Sequence, residues 1–312
     1  MVTSQPPLSG IVRQLTDLVA TVIRELRPRL IQAALSGDRS ESQNSRHADN
    51  FLSEYDLWMH RRYRELLTQI LPSYVYASEE ADPQVIGDDP DPDLCVLVDP
   101  LDTSELAVRA LYGYTHVLVY SRGLARPIAA VVGDIFHHLQ IYTAARDEAG
   151  QEQAFVITQD GVAHPLRLNW SVQLSESLIT NYFMKPAERF LPLAQQTRLI
   201  EQLSQLSQDG VSRGRIGVDF GSIGLCHVAA GFSDAMIEFA KGFATWDLAP
   251  GHYILQAAGG VVLDLQGHPI PLDYRFGTMD DIRKAMDHRR KFVAASSLPL
   301  ARDILSAMTL TG

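Results

Sequence analysis

The chain has 312 residues, of which 46% are hydrophobic and 21% charged, and its formal net charge is −10. This composition is typical of a globular protein, and the length indicates about two domains or one large domain of two lobes, whose core needs no disulfide or structural metal. An acidic surface repels polyanions, so we expect no nucleic-acid partner. No apolar run approaches the roughly 20 residues that span a bilayer, so we expect no membrane partner. The two cysteines lie in apolar stretches, which favours a reducing, cytoplasmic location.

The first part of the chain predicts two helices and then a sheet. Apolar residues recur at helical spacing over 11–34, where Pro28 is expected to bend or end the helix. A second helix is predicted over 54–70, followed by strands at 74–80 and 94–98. Further β-rich segments separated by turns predict an antiparallel meander. These segments are 115–121, 127–135 and 138–145.

Strands and helices alternate after about residue 150, which predicts an α/β lobe. Its longest predicted helix covers 191–208. We therefore expect an N-terminal α+β lobe over 1–150 and a C-terminal α/β lobe over 151–312.

The apolar strand at 94–98 ends in two carboxylates, Asp99 and Asp102. Pro100 stiffens the turn between them, so both side chains can point at one place, where the Leu101 carbonyl adds a third oxygen. Hard oxygen donors of this kind suit Mg²⁺, which binds through a few carboxylates plus substrate phosphate. Bound ions of this type activate a water and neutralise phosphate oxygens. The residues after Asp102 open a predicted helix, whose backbone N–H groups can face a phosphate.

The acidic residues also have plainer interpretations. Glu79 and Glu80 could form an exposed turn. Asp102 with Glu105 has the spacing of a capping box at a helix start. Asp247, which begins the stretch "DLAPGHYILQAAG", could cap a helix.

Four ordered motifs resemble the inositol monophosphatase family of Mg²⁺-dependent, lithium-sensitive phosphatases. The motifs are "SEE" at 78–80, "LVDPLDTS" at 97–104, "GSIGLCHVAAGFSDAMIE" at 221–238 and "WDLAPGHYILQAAGGVVLDLQG" at 246–267. The resemblance implies a layered α-β-α-β-α sandwich of the α+β or α/β class, with an antiparallel sheet in the first lobe. It also implies that the second lobe completes an active site for hydrolysis of a small phosphomonoester, with two or three Mg²⁺ ions, in a homodimer.

The resemblance assigns roles to individual residues. It implies metal ligands at Glu79, Asp99, the Leu101 carbonyl, Asp102 and Asp247. It implies catalytic roles for Ser104, which orients the attacking water, for its partner Asp56, and for Glu79. It implies phosphate binding by Thr103 and Ser104, and substrate binding by Glu238, Ser222 and Ile223. Asp56 could instead be an exposed acid at a helix start.

Several positions depart from the family pattern. Thr103 replaces a glycine; because a β-branched residue at positive φ is an outlier, we predict a negative φ there. Ser78 also replaces a glycine, Ile223 stands where a small residue is common, and the stretch from Glu238 to Asp247 is long. The substrate is therefore open between an inositol phosphate, phosphoadenosine phosphate and a sugar bisphosphate. A non-catalytic protein that binds metal and phosphate is the further alternative.

Overall fold

The computed structural model describes residues 10–38, 41–42, 51–137, 139–147, 149–170, 172–206 and 209–309. The chain divides into two compact units, Met1–Pro165 with Leu272–Asp287 and Leu166–Pro271 with His288–Gly312. Within the described ranges, no helix combines the length and the apolar character that a membrane crossing requires. Cys95 and Cys226 are buried free cysteines, as their apolar surroundings predict.

The first unit contains an eight-stranded sheet in the order β10-β9-β8-β7-β6-β5-β3-β4. All neighbours in it are antiparallel except β3 and β5, which are parallel. The strands of this unit are β1 (Glu41–Ser42), β2 (Leu52–Ser53), β3 (Tyr74–Ser78), β4 (Ala81–Ile86), β5 (Leu94–Asp102), β6 (Tyr114–Ser121), β7 (Arg126–Asp134), β8 (Leu139–Arg146), β9 (Glu152–Thr158) and β10 (Ala163–Pro165). Its first three helices are α1 (Gly10–Ser36), α2 (Glu54–Leu67) and α3 (Ser104–Ala107). The predicted meander is present as β6, β7 and β8.

The second unit contains a five-stranded sheet in the order β12-β11-β13-β15-β14. Its strands are β11 (Leu178–Asn181), β12 (Arg215–Val218), β13 (Ala235–Ala244), β14 (Val261–Leu263) and β15 (Arg289–Ala295). The remaining helices are α4 (Leu191–Ala194), α5 (Thr197–Leu203), α6 (Gly221–Ala229), α7 (Thr245–Ala257), α8 (Met279–Asp287), which belongs to the first unit, and α9 (Leu298–Ala307). The mixed α and β class that the sequence predicts is therefore confirmed.

Helix α1 continues through Pro28 to Ser36. Of the two expectations for this proline, a bend or an end of the helix, the end is therefore wrong. Leu26 and Leu30, on either side of the proline, are fully buried in the core of the first unit. Burial of such side chains contributes roughly 1.5–3 kcal/mol each, which offsets the hydrogen bond that a proline removes.

The helix predicted over 191–208 is interrupted, because α4 ends at Ala194 and α5 begins at Thr197. Gln196 leaves the helical conformation, with φ −78° and ψ 60°. Its buried amide oxygen accepts a hydrogen bond from the backbone N–H of Thr309 at 2.7 Å, and its amide nitrogen donates to the Thr309 carbonyl at 3.3 Å. The break therefore anchors the end of the chain's last described segment.

Candidate active site

The end of β5 brings two acidic side chains together. The run Cys95–Val98 is fully buried between β3 and β6. Asp99 pairs with His116 of β6 and Asp102 pairs with Tyr114. An advance of three residues along β5 therefore corresponds to an advance of only two residues along β6. Side chains alternate between the faces of a regular strand, and a bulge resets that alternation. The irregularity at Pro100 and Leu101 therefore allows both carboxylates to point to one place.

Asp99, Asp102 and His116 form a cluster in which one ligand atom of each residue lies within 4.8 Å of the others. The side chain of Asp102 is 12% exposed and that of His116 is fully buried. Asp99 is also buried. The sequence reasoning missed His116. A lone histidine in the otherwise apolar run "THVLV", on a strand that can pair with the acidic one, is the signal that could have found it.

The donors at this place fit a divalent cation. Two carboxylates this close in a buried setting repel each other, and a cation between them removes that cost. The Leu101 carbonyl, which lies between the two acids in the chain and 2.8 Å from Ser104 Oγ, is an uncharged oxygen of the kind that Mg²⁺ accepts. Asp102 is the last residue of β5. The N-cap residue of α3 is Thr103, and its side chain makes no capping hydrogen bond. The capping-box interpretation of Asp102 is therefore wrong.

Glu79 follows β3, and its backbone N–H bonds to the Val98 carbonyl at 3.4 Å. The backbone of Glu79 is thus bound to β5 one position before Asp99. Its carboxylate, however, is not part of the cluster of Asp99, Asp102 and His116. The preceding Ser78 lies inside β3, where a side chain fits, and its Oγ accepts a hydrogen bond from the Glu80 N–H at 3.2 Å. Glycine is therefore not required at Ser78.

Ser104 and Asp56 form a hydrogen-bonded pair beside the cluster. Asp56 lies in the first turn of α2, where its Oδ2 accepts from the Ser53 N–H at 2.7 Å and from Ser53 Oγ at 2.6 Å. Its other oxygen, Oδ1, accepts a short hydrogen bond from Ser104 Oγ, which also lies 2.8 Å from the Leu101 carbonyl oxygen. Asp56 is only 1% exposed, so it is not a solvated helix-start acid.

Burial raises the pKa of Asp56 to about 6, although hydrogen bonds from Ser104 and Ser53 act in the opposite direction. Because this pKa exceeds that of the unfolded chain, the folded state binds more protons between about pH 4 and 6, and this contribution to stability falls as pH rises. We expect Asp56→Asn to lose that dependence. Relative to the wild type, its free energy of unfolding should improve by about 2 kcal/mol between pH 4 and pH 7. Urea denaturation in EDTA measures the free energy of unfolding at each pH. If this free energy changes with pH in the same way in Asp56→Asn and in the wild type, the buried charge of Asp56 is contradicted.

Thr103 adopts the left-handed conformation, with φ 62° and ψ 40°, so the predicted negative φ is wrong. The chain passes from an extended strand directly into the four-residue helix α3, and this single residue makes the turn. Its carbonyl accepts hydrogen bonds from the N–H groups of Leu106 and Ala107, which stabilise the turn. The family's glycine is thus replaced by a β-branched residue where glycine is favoured.

We expect Thr103→Gly to stabilise the protein. A β-branched residue in this region costs on the order of 1–3 kcal/mol, while glycine loses about 0.5–1 kcal/mol more backbone entropy on folding. The net gain should be about 1 kcal/mol, or roughly 2 °C in Tm. Thr68→Gly is the matched control, because Thr68 ends α2 at φ −63° and should lose stability. Equal destabilisation of both variants by calorimetry would contradict the strain at Thr103.

Asp247, Ser222 and Ile223 lie in the second unit. Asp247 is in the first turn of α7, whose N-cap is Ala244, so the interpretation of Asp247 as the helix cap is wrong. Ser222 is fully buried, and its Oγ donates to the Asp247 carbonyl at 2.7 Å and accepts from the Gly251 N–H at 2.9 Å. A Cβ on Gly251 would lie 2.4 Å from the Ser222 carbonyl oxygen, so glycine permits this close packing of α6 and α7. Ile223 is fully buried as well.

Glu238 is fully buried and stabilises an irregular segment of β13. Its Oε1 accepts hydrogen bonds from the N–H groups of Ala240, Lys241 and Gly242 at 3.0–3.1 Å. Its Oε2 forms a short ion pair with the buried Arg189, which the sequence reasoning also missed. The register between β13 and β15 shifts between Glu238 and Phe243, so the extra length before Asp247 forms this segment.

Comparisons with known proteins agree with this architecture. The model of the inositol monophosphatase family matches residues 10–297. The chain is 27% identical over 256 residues to inositol monophosphatase 2 of Homo sapiens, covering 78% of each protein. It is 27% identical over 203 residues to Nus factor SuhB of Pasteurella multocida, covering 65% of this chain and 67% of that protein. A Ca-bound IMPase family protein from Staphylococcus aureus shares the fold, with a TM-score of 0.67 and 14% identity over 96% of each chain.

Proposed function

The chain belongs to the inositol monophosphatase family, and on that premise we propose that it hydrolyses a small phosphomonoester with Mg²⁺ held by Asp99, Asp102 and the Leu101 carbonyl. Family membership supports a phosphatase. The observation that carries the proposal is the hydrogen bond from Ser104 to the buried Asp56, beside the cluster of Asp99 and Asp102. A site that only held a cation would have no need of this hydroxyl.

The residues of the chain orient the attacking water. Asp56 accepts a hydrogen bond from the Ser104 hydroxyl, which leaves lone pairs on Ser104 Oγ to accept a hydrogen bond from a water. That water then keeps a lone pair for attack on phosphorus. When bound, the divalent cation lowers the pKa of a coordinated water and neutralises phosphate oxygens. The Leu101 carbonyl stays free to act as a ligand while Ser104 donates to Asp56.

Further parts of the site are carried over from the sequence as proposals. We propose that Glu79 is a ligand and acts on the water, and that the N–H groups of Thr103 and Ser104 bind phosphate. Asp247 would supply a ligand for the second or third ion. A homodimer is likewise proposed from the family resemblance, and a cytoplasmic location is proposed from the cysteine usage.

The substrate is proposed to be a small phosphorylated molecule other than an inositol phosphate. The support is at Glu238, which the family resemblance assigns to substrate hydroxyl groups. Both of its oxygens are engaged by Arg189 and backbone N–H groups, and it is fully buried. Breaking a buried ion pair of this kind costs about 3–5 kcal/mol, so Glu238 is a poor contact for a ligand. This favours the sugar bisphosphate or phosphoadenosine phosphate alternatives.

A phosphate-release screen tests the proposal. The purified full chain is incubated with inositol phosphates, sugar phosphates, sugar bisphosphates and phosphoadenosine phosphate, with Mg²⁺ or with Mn²⁺. We expect release from at least one class, with inositol monophosphate not the best substrate. No release from any class with either ion, from folded protein, would favour the non-catalytic alternative.

A further inference from the structure

We infer that His116 is a further ligand of the cation held by Asp99 and Asp102, through its Nε2 atom, and that the site therefore prefers a divalent transition ion such as Mn²⁺ to Mg²⁺. The inference rests on the proposed function and names the ion on which that function depends. It concerns a residue to which the sequence motifs assign no role.

The strand pairing fixes the position of His116. It lies on β6 directly opposite Asp99 on β5. Residues directly opposite each other in an antiparallel pair project from the same face, with Cβ atoms about 4.5–5.5 Å apart. The side chain of His116 is fully buried, so its ring faces the interior and the acidic cluster instead of solvent.

The distances suit a shared ion. Nε2 of His116 lies 3.0 Å from Oδ2 of Asp102. Two ligand atoms that each lie about 2.1 Å from one ion, at right angles, are about 3.0 Å apart. Asp99 completes the group within 4.8 Å. Of the two ring nitrogens, Nε2 is the one that faces Asp102, while Nδ1 is buried without a hydrogen-bond partner among the described residues.

The chemistry of the donors sets the preference among ions. Mg²⁺ favours oxygen ligands and dehydrates reluctantly. Imidazole nitrogen favours first-row transition ions, whose affinity for mixed nitrogen and oxygen sites exceeds that of Mg²⁺. One imidazole added to two carboxylates therefore moves the site towards Mn²⁺ and the ions that follow it in the series.

The same 3.0 Å separation would also allow His116 to donate a hydrogen bond to Asp102 and only orient that carboxylate. Electron–nuclear double resonance separates the two cases. The full chain, labelled with ¹⁵N in its histidines, is loaded with Mn²⁺. We expect the coupling of a directly coordinated nitrogen, and its loss in His116→Gln. Bound Mn²⁺ without a directly coordinated nitrogen in the wild type would overturn the inference.

Calorimetric titration gives an independent readout. We expect His116→Gln to weaken Mn²⁺ binding at least about tenfold and Mg²⁺ binding by less than about threefold. His164→Gln, at an exposed position on β10, is the matched control and should bind both ions as the wild type does. Equal losses for both ions would mean that His116 only positions Asp102, which contradicts the inference.

If His116→Gln does not fold, His116→Asn replaces it. The electron–nuclear double resonance spectrum of the wild type with Mn²⁺ then still decides whether a histidine nitrogen is a ligand. The outcomes also separate this inference from the proposed function. Mg²⁺-dependent hydrolysis without nitrogen coordination in the Mn²⁺ form would contradict the inference alone. Failure of the wild type to bind any divalent cation would contradict the proposed function itself.

Discussion

Asp99→Asn is expected to lower kcat/KM by at least about 10³-fold, which corresponds to about 4 kcal/mol of transition-state stabilisation. The substitution removes the charge of a proposed ligand near the end of β5, where Asp99 is only 1% exposed. An amide supplies one neutral oxygen, so the cation is held more weakly. Steady-state kinetics at saturating and limiting Mg²⁺ measure the effect, and Asp88→Asn, in an exposed loop, is the control that should retain activity.

The stability of the same variant distinguishes a ligand from a structural residue. In excess EDTA we expect Asp99→Asn to be at least as stable as the wild type, because one of two neighbouring buried charges has been removed. Added Mg²⁺ should raise the Tm of the wild type and not that of the variant, since only binding to the folded state stabilises it. A variant that is much less stable in EDTA would make Asp99 a structural residue.

Ser104→Ala is expected to reduce kcat by about 10²–10³-fold with little change in KM, because in the proposed mechanism the hydroxyl orients the water and does not contact the bound substrate. The hydroxyl bonds to Asp56 and lies 2.8 Å from the Leu101 carbonyl oxygen. Ser104→Thr keeps the hydroxyl and is the matched control, which should restore most of the activity. If Ser104→Ala keeps the wild-type kcat, the water is oriented by other groups.

The sequence alone predicts the parts of this molecule that depend on local pattern. The strand that ends in Asp99 and Asp102 is where its apolar run places it. The meander after it follows from alternating β-rich runs and turns. A short motif assigns a role to Asp56, and the structure places this residue in contact with Ser104. Its capping box with Ser53 also follows the spacing typical of a helix start.

Other features depend on contacts far apart in the chain, and local patterns do not encode them. Pro28 remains helical because both neighbouring turns are buried against the core. Gln196 breaks a helix because it bonds to Thr309, 113 residues away. His116 meets Asp102 only because β6 pairs with β5 across an irregular register. Arg189 meets Glu238, which lies 49 residues further along the chain, through a side-chain ion pair.

The two glycine replacements show the limit of arguing from residue type. The β-branched side chain of Thr103 predicts that this residue avoids positive φ, yet the turn between β5 and α3 imposes φ 62°. Ser78 replaces a glycine at no such cost, because it lies inside β3 and its hydroxyl bonds to the next turn. The backbone conformation that surrounds a position therefore decides what a replacement costs.

Phosphate release by the wild-type chain in excess EDTA, followed by Mg²⁺ or Mn²⁺ added beyond the chelator, tests the central claim most directly. With the best substrate of the screen, we predict that hydrolysis stops in EDTA, because no carboxylate of the site can attract a phosphate unaided. We predict that it returns when either ion is added. Undiminished hydrolysis in excess EDTA would contradict a metal-dependent phosphatase centred on Asp99 and Asp102.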